Sequence, residues 1–190
     1  MEEASSTRAG RIELICGPMF SGKSEKLLER LAFARAESLP TAVFKHASDD
    51  RYDGRKIVTH NGRRIPATPI ASAGQILELA GNARLIVIDE AQFFAEDLVS
   101  TCLRLAGQGR TVIVAALDLD SWGLPFGHVP ELEAVADQVL HMQGRCSRCG
   151  RPSDHTQRLA SIGETMIGGA EAYEPRCAAC FVAPPMELRR

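Results

Sequence analysis

Three groups of residues in this chain have types and spacing that could do chemistry. The first, Gly17-Pro18-Met19-Phe20-Ser21-Gly22-Lys23-Ser24, fits the phosphate-binding pattern G-x-x-x-x-G-K-[ST]. Such a loop works where a strand turns into a helix. Backbone N–H groups at the helix start converge on phosphate oxygens, and the aligned peptide dipoles favour the anion. Lys23 then reaches the β- and γ-phosphates and the Ser24 hydroxyl binds Mg²⁺, so ATP and Mg²⁺ are the expected ligands. A chance match in a glycine-containing turn is disfavoured by an apolar run before the motif and an amphipathic one after it.

The second group is Asp89-Glu90, which ends the apolar run Leu85-Ile86-Val87-Ile88. In a parallel sheet the strand C-termini share one edge with the phosphate loop. Asp89 is placed to hold Mg²⁺ directly or through water, completing what Ser24 begins. Glu90, one residue further on, can face an acceptor and take its proton; a positioned general base contributes about 10²–10⁴-fold in rate. Standing alone, the pair would as easily be an exposed acidic turn, and the upstream phosphate loop is what favours the chemical reading.

The third group is Cys146-x-x-Cys149 and Cys177-x-x-Cys180. Each pair puts two thiolates on one tight turn, and two such turns complete a tetrahedral four-sulfur site whose expected metal is structural Zn²⁺. The interval between the pairs is somewhat longer than the commonest spacing. Disulfides are the rival, disfavoured in a chain that reads as intracellular. The other two of the six cysteines, Cys16 and Cys102, fall in apolar segments and read as small buried hydrophobes; the five histidines show no metal-ligand spacing.

The elements that must position these groups alternate. Arg11–Cys16 reads as a buried strand, and Ser24–Glu37 as a helix with Leu27, Leu28, Leu31 and Ala34 on one face. Thr41–His46 is a second strand, and the polar stretch 47–69 a long functional or disordered connection. Ser72–Ala80 is a short helix with Ser72 as its cap, and Leu85–Ile88 a strand. A helix over Glu96–Ala106, a strand over Thr111–Leu117, a helix over Glu131–Ala136 and a strand over Gln138–Met142 complete the series. Strands apolar on both faces alternating with helices predict an α/β fold, a P-loop NTPase-like parallel sheet flanked by helices. From Gly144 the periodicity disappears, so the division expected is 1–10 disordered, 11–143 as the ATP-binding domain, and 144–190 as a zinc-binding lobe.

At 190 residues the chain can bury one real core and a small appendage. Its 22 basic and 24 acidic residues nearly balance, with no basic stripe, so a nucleic-acid polymer is not an expected partner. The N-terminus lacks the apolar core of a secretory signal, and no apolar run is long enough to span a bilayer. The expectation is a soluble cytoplasmic protein.

The stretches GPMFSGKS (Gly17–Ser24), DDRY (Asp49–Tyr52), DEAQF (Asp89–Phe93), PFG (Pro125–Gly127), TQRL (Thr156–Leu159) and GGAEAY (Gly168–Tyr173), closing with Cys177-x-x-Cys180, occur in this order. The series resembles the zinc-containing thymidine kinases of bacteria and animal cytosol, from about residue 11 to 180. The resemblance implies transfer of the ATP γ-phosphate to the 5′-hydroxyl of thymidine, and of deoxyuridine as well, for DNA-precursor salvage. It makes Glu90 the catalytic base and puts Asp89 and Gln92 among the nucleotide contacts, with Arg51 near the transferred phosphate. Met19, Phe93, Leu117 and Phe126 match positions lining the thymine pocket, with Ser121 beside them. Thr156, Met166, Gly168 and Tyr173 match flap positions over the nucleoside. A homotetramer and feedback inhibition by thymidine triphosphate are implied by resemblance alone. Ser121 stands where the family usually has a phenylalanine and cannot stack on a base, Trp122 replaces a polar residue, Glu164 an apolar one, and the flap is short. The rivals are a nucleic-acid-dependent ATPase, in which Asp89-Glu90 activates water, and a nucleotide sensor, which needs no Glu90.

Overall fold

The computed structural model describes residues 10–49, 55–58, 62–159 and 171–189. In chain order the first elements are β1 (Arg11–Cys16), α1 (Lys23–Ala36), β2 (Thr41–His46), β3 (Lys56–Val58), β4 (Arg64–Pro66), β5 (Thr68–Ile70) and α2 (Gln75–Leu79). They are followed by β6 (Leu85–Asp89), a 3₁₀ turn (Ala91–Phe93), α3 (Asp97–Gly107), β7 (Thr111–Ala116), α4 (Val129–Val135) and β8 (Gln138–His141). Six strands form one sheet in the order β5-β2-β6-β7-β1-β8. All neighbours in it pair in parallel. Every strand therefore ends on the same edge.

Alternation along the strands splits the core in two. Ile12, Leu14 and Cys16 of β1, Ile86 and Ile88 of β6, and Val112 and Val114 of β7 pack with Leu98, Cys102 and Leu105 of α3 and Leu132 of α4. On the other face Ile15, Val87, Ile113 and Ala115 meet Leu27, Leu31 and Ala34 of α1, together with Ile57 and Ile65. Those two isoleucines come from the small antiparallel pair β3–β4, which the polar stretch 47–69 did not suggest. The same stretch holds β5, whose partner is β2. Strands of three residues are too short to show a period. The helix expected from Ser72 begins instead at Gln75, with no side-chain cap. Gln75 Oε1 accepts from Ala71 N and Ser72 N, which holds residues 71–74 as a turn.

Beyond β8 the chain forms two hairpins: β9 (Gly144–Arg145) with β10 (Pro152–Ser153), and β11 (His155–Arg158) with β12 (Tyr173–Arg176). A final 3₁₀ turn covers Met186–Leu188. No described helix is long and apolar enough to cross a membrane.

A charged residue of β1 lies deep inside this frame. Glu13 of β1 is 1% exposed and faces α1. Arg30 closes on it with Nη2 to Oε1 at 2.6 Å and Nε to the same oxygen at 3.0 Å. A buried carboxylate stripped of its partner is left uncompensated, which costs about 3–5 kcal/mol. Arg30 itself is partly exposed, so water can repair some of the loss. Arg30→Met should lower unfolding free energy in urea by about 3 kcal/mol, at the low end of that range; a change within error would show that the pair contributes nothing.

Candidate active site

The parallel sheet brings the chemical groups together. β1 ends at Cys16 and the chain turns through Gly17, at φ 143°, where a side chain would collide with the Met142 carbonyl that follows β8. Gly22, left-handed at φ 88°, then opens α1. Lys23, the first residue of α1, donates from Nζ to the carbonyls of Gly17 (3.0 Å) and Pro18 (2.7 Å), folding across its own loop. Burial holds its pKa below the ordinary lysine value, against the pull of Glu90, Asp89 and Asp118.

Two strands away β6 delivers Asp89 and Glu90. Asp89 is 7% exposed, and burial, with the Glu90 charge beside it, pushes its carboxyl up to about 7. Glu90 has a left-handed backbone, φ 55° and ψ 42°, unusual for a residue with a side chain. Its carboxylate accepts from Gln92 Nε2 at 2.6 Å, while Gln92 Oε1 accepts from Leu117 N at 3.0 Å. Because Leu117 N can only donate, the Gln92 amide has one orientation, and its NH₂ end must face Glu90. The PFG segment packs behind: a Cβ on Gly127, whose φ is 54°, would stand 2.6 Å from the Gln92 carbonyl oxygen. Phe126 meets Phe93 edge to face at 5.8 Å.

A cavity of about 350 Å³ joins the two halves. Met19, Phe20, Ser21, Gly22, Lys23 and Ser24 line one side, and Asp89, Glu90, Gln92 and Leu117 the other. Its size lies within the range of small-molecule sites. The hard oxygens of Ser24 and Asp89 share this cavity, a donor set that suits Mg²⁺. Gly17 and Pro18 contribute the carbonyls that hold Lys23. Phe93, Phe126, Ser121, Thr156 and Tyr173 do not line the cavity; the two phenylalanines pack beside it. Ser121 is buried, and its hydroxyl has no hydrogen-bond partner among the described residues. Arg51, Met166 and Gly168 lie outside the described residues, as does Glu164.

Sequence reasoning passed over three lining or flanking features. Asp49, inside the DDRY stretch, lines the cavity and pairs at 2.9 Å with Lys45, itself 2% exposed on β2. Lys56, Ile57 and Val58 of β3 form a further wall. Asp118 follows β7 much as Asp89 ends β6, and the same strand-end argument would have found it.

The four cysteines of the C-terminal lobe meet. Their sulfurs all lie within 4.8 Å of one another, although Cys146–Cys149 and Cys177–Cys180 sit on separate turns after β9 and β12. Gly150 N to Cys146 O (2.9 Å) and Phe181 N to Cys177 O (2.9 Å) tighten the two turns. All six cysteines are thiols. Cys149 and Cys177 sulfurs are 3.5 Å apart, against about 3.8 Å between sulfurs bound tetrahedrally to zinc at about 2.3 Å. Arg151 Nε donates to Cys149 Sγ and lowers that thiol to about 6, toward the thiolate a metal needs. The residues present fit Zn²⁺.

This lobe is fastened to the phosphate loop. Thr156 of β11, 3% exposed, accepts on Oγ1 from Met19 N at 3.0 Å. Tyr173 of β12 is buried, with the Arg158 guanidinium 5.9 Å from its ring centre.

A family profile described as thymidine kinase matches residues 10–181. The chain belongs to the thymidine kinase family. A thymidine kinase from Rhodothermus sp. (strain ITI 518) is 45% identical over 176 residues, spanning 92% of this chain and 83% of that protein. In this thymidine kinase family member, the match runs from the strand before the phosphate loop to the last of the four cysteines, so the nucleotide site and the cysteine lobe fall under one family pattern.

Removing the metal should therefore be a structural event. After dialysis against a mild chelator the protein should retain about one zinc per chain, as expected of a closed four-ligand site. Cys177→Ser should lose that zinc and the cooperative unfolding of the lobe. A Cys177→Ser protein that keeps its zinc would refute the four-sulfur assignment.

Proposed function

We propose that this protein transfers the γ-phosphate of ATP to the 5′-hydroxyl of thymidine, giving thymidine monophosphate and ADP, and so supplies DNA precursors by salvage. The observation that carries the reading is the single cavity that holds a phosphate loop on one side and a carboxylate positioned by a glutamine on the other. A nucleotide sensor would have no use for that carboxylate, and a strand-dependent ATPase calls for an excess of basic residues, against 22 basic and 24 acidic here.

Phosphoryl transfer depends on positioning and on neutralising the charge of the transferred group. The amides of Phe20–Ser24 and the Lys23 ammonium take the donor phosphates, Lys23 exchanging its bonds to Gly17 and Pro18 for phosphate oxygens. Ser24 and Asp89 would hold Mg²⁺, which would supply positive charge to neutralise the phosphates. Glu90 accepts the proton of the attacking 5′-hydroxyl at its carboxylate, and Gln92 keeps that carboxylate turned into the cavity. Arg51 adds positive charge near the transferred phosphate. Met19 and Leu117 face the base from the cavity wall, with the Phe93–Phe126 pair and Ser121 as the outer part of the base pocket that substrate binding completes. Thr156, Met166, Gly168 and Tyr173 cover the nucleoside and exclude water, which would otherwise compete as acceptor. Deoxyuridine, which differs from thymidine only by the missing 5-methyl group, is accepted as well. Cytoplasmic location, assembly as a homotetramer and feedback inhibition by thymidine triphosphate go with the family reading. Phe33, 70% exposed on α1, and Leu79, 54% exposed on α2, are apolar surface that assembly would cover.

Glu90→Gln should lower kcat by about 10²–10⁴-fold, the contribution of a positioned base, with ATP binding little changed. ADP release measured with ATP, Mg²⁺ and a panel of nucleosides should rise for thymidine and deoxyuridine alone. A flat response across the panel would refute the acceptor, and full turnover by the Glu90→Gln protein would refute the base.

A further inference from the structure

A second group of metal-ligating side chains stands at the root of the phosphate loop, apart from the four cysteines. Cys16 Sγ, an Asp118 carboxylate oxygen and a ring nitrogen of His141 all lie within 4.8 Å of one another. Three neighbouring strands bring them there. Cys16 is the last residue of β1, His141 is its register partner at the end of β8, and Asp118 lies two residues past β7, on the other side of β1. No spacing in the sequence links them.

The local geometry is that of a ligand set. His141 Nδ1 is 3.3 Å from Cys16 Sγ. A tetrahedral ion bound at about 2.3 Å from sulfur and about 2.0–2.1 Å from nitrogen separates those two atoms by about 3.5 Å. The opposite ring nitrogen, Nε2, faces Glu133 Oε1 of α4 at 3.2 Å. A carboxylate on the far nitrogen is the outer partner that metal-bound histidines commonly have. It keeps the proton on Nε2 and leaves the Nδ1 lone pair turned toward Cys16. Cys16 is buried, Asp118 half-buried and His141 exposed, so an ion could enter from solvent along the histidine side.

We propose that Cys16, Asp118 and His141 form a second metal site, separate from the four-cysteine cluster, that takes a thiophilic divalent ion such as Zn²⁺ or Co²⁺ and leaves one position open. One thiolate, one imidazole and one carboxylate favour such ions over Mg²⁺ or Ca²⁺. Binding displaces the Cys16 thiol proton to solvent and replaces the thiol–imidazole contact with two metal bonds. The bound ion bridges the ends of β7, β1 and β8 immediately before Gly17.

The test adds Co²⁺ to the protein carrying its four-cysteine zinc, with zinc measured in the same samples so that exchange there is told apart. The wild type should take up one Co²⁺ per chain without losing zinc, with a thiolate-to-cobalt absorption band in the near ultraviolet. His141→Gln, a change at an exposed position, should weaken Co²⁺ binding at least tenfold, and Glu133→Gln about 10–100-fold, as loss of an outer partner does. Cys16→Ala should abolish the band. No uptake beyond cobalt exchanged for zinc would overturn the proposal. So would uptake that His141→Gln and Cys16→Ala both leave unchanged, since the ion would then sit elsewhere.

Discussion

A parallel sheet delivers every strand end to one edge, and this constraint organises the molecule. The phosphate loop leaves β1, the acidic pair leaves β6, and Leu117 and Asp118 follow β7, which lies between those two strands. Strands in a sheet lie about 4.7–4.9 Å apart, so groups on β1 and β6 are separated by about the reach of a phosphate chain. The helices cover both faces because strands apolar on both sides must be buried on both sides. Without that packing the loop and the carboxylates would have no fixed distance between them.

Within the edge, order comes from a few hydrogen bonds placed where the backbone is least comfortable. Glu90 occupies the left-handed region, a conformation costing of order 1–3 kcal/mol for a residue with a side chain. Two neighbours hold it there. Gln92 links the Glu90 carboxylate to the backbone of β7's extension, and Gly127 admits the Gln92 carbonyl at a distance no side chain would allow. The DEAQF and PFG stretches are thus two halves of one support.

The cysteine lobe is tied to the α/β body at more than its entry point. The Met19 amide donates to Thr156, so the β11–β12 hairpin rests on the phosphate loop itself. After Cys180 the tail first pairs within the lobe, Gln157 exchanging two hydrogen bonds with the Val182 backbone, and then reaches the body, where Trp122 Nε1 donates to Pro185 O and Arg189 meets Asp120 at 2.8 Å. Asp120 also accepts from the amides of Trp122 and Leu124. Trp122 therefore anchors the tail to the loop that carries Ser121. A four-sulfur zinc site would fix the far end of this lobe, which has little apolar core of its own.

Signals that are local in the chain were legible without coordinates. The phosphate loop, the strand-end acids and the paired cysteines each depend on a few consecutive residues, and the longer strands and helices announce themselves by period. Short pieces did not: β3, β4 and β5 have three residues each, and α2 starts three residues past its expected cap. Glu13 and Arg30, or Lys45 and Asp49, look like ordinary surface charges until the fold buries them against each other. By type and spacing Cys16 is a small buried hydrophobe, and His141 shows no metal-ligand spacing. That they meet Asp118 is decided by strand order, which places β7 and β8 on either side of β1, although Cys16 and His141 are 125 positions apart in the chain. The available chemistries are written along the chain, in side-chain type and local spacing. Which of those groups share a cavity depends on the order and covering of the sheet, because contacts between distant segments arise only there.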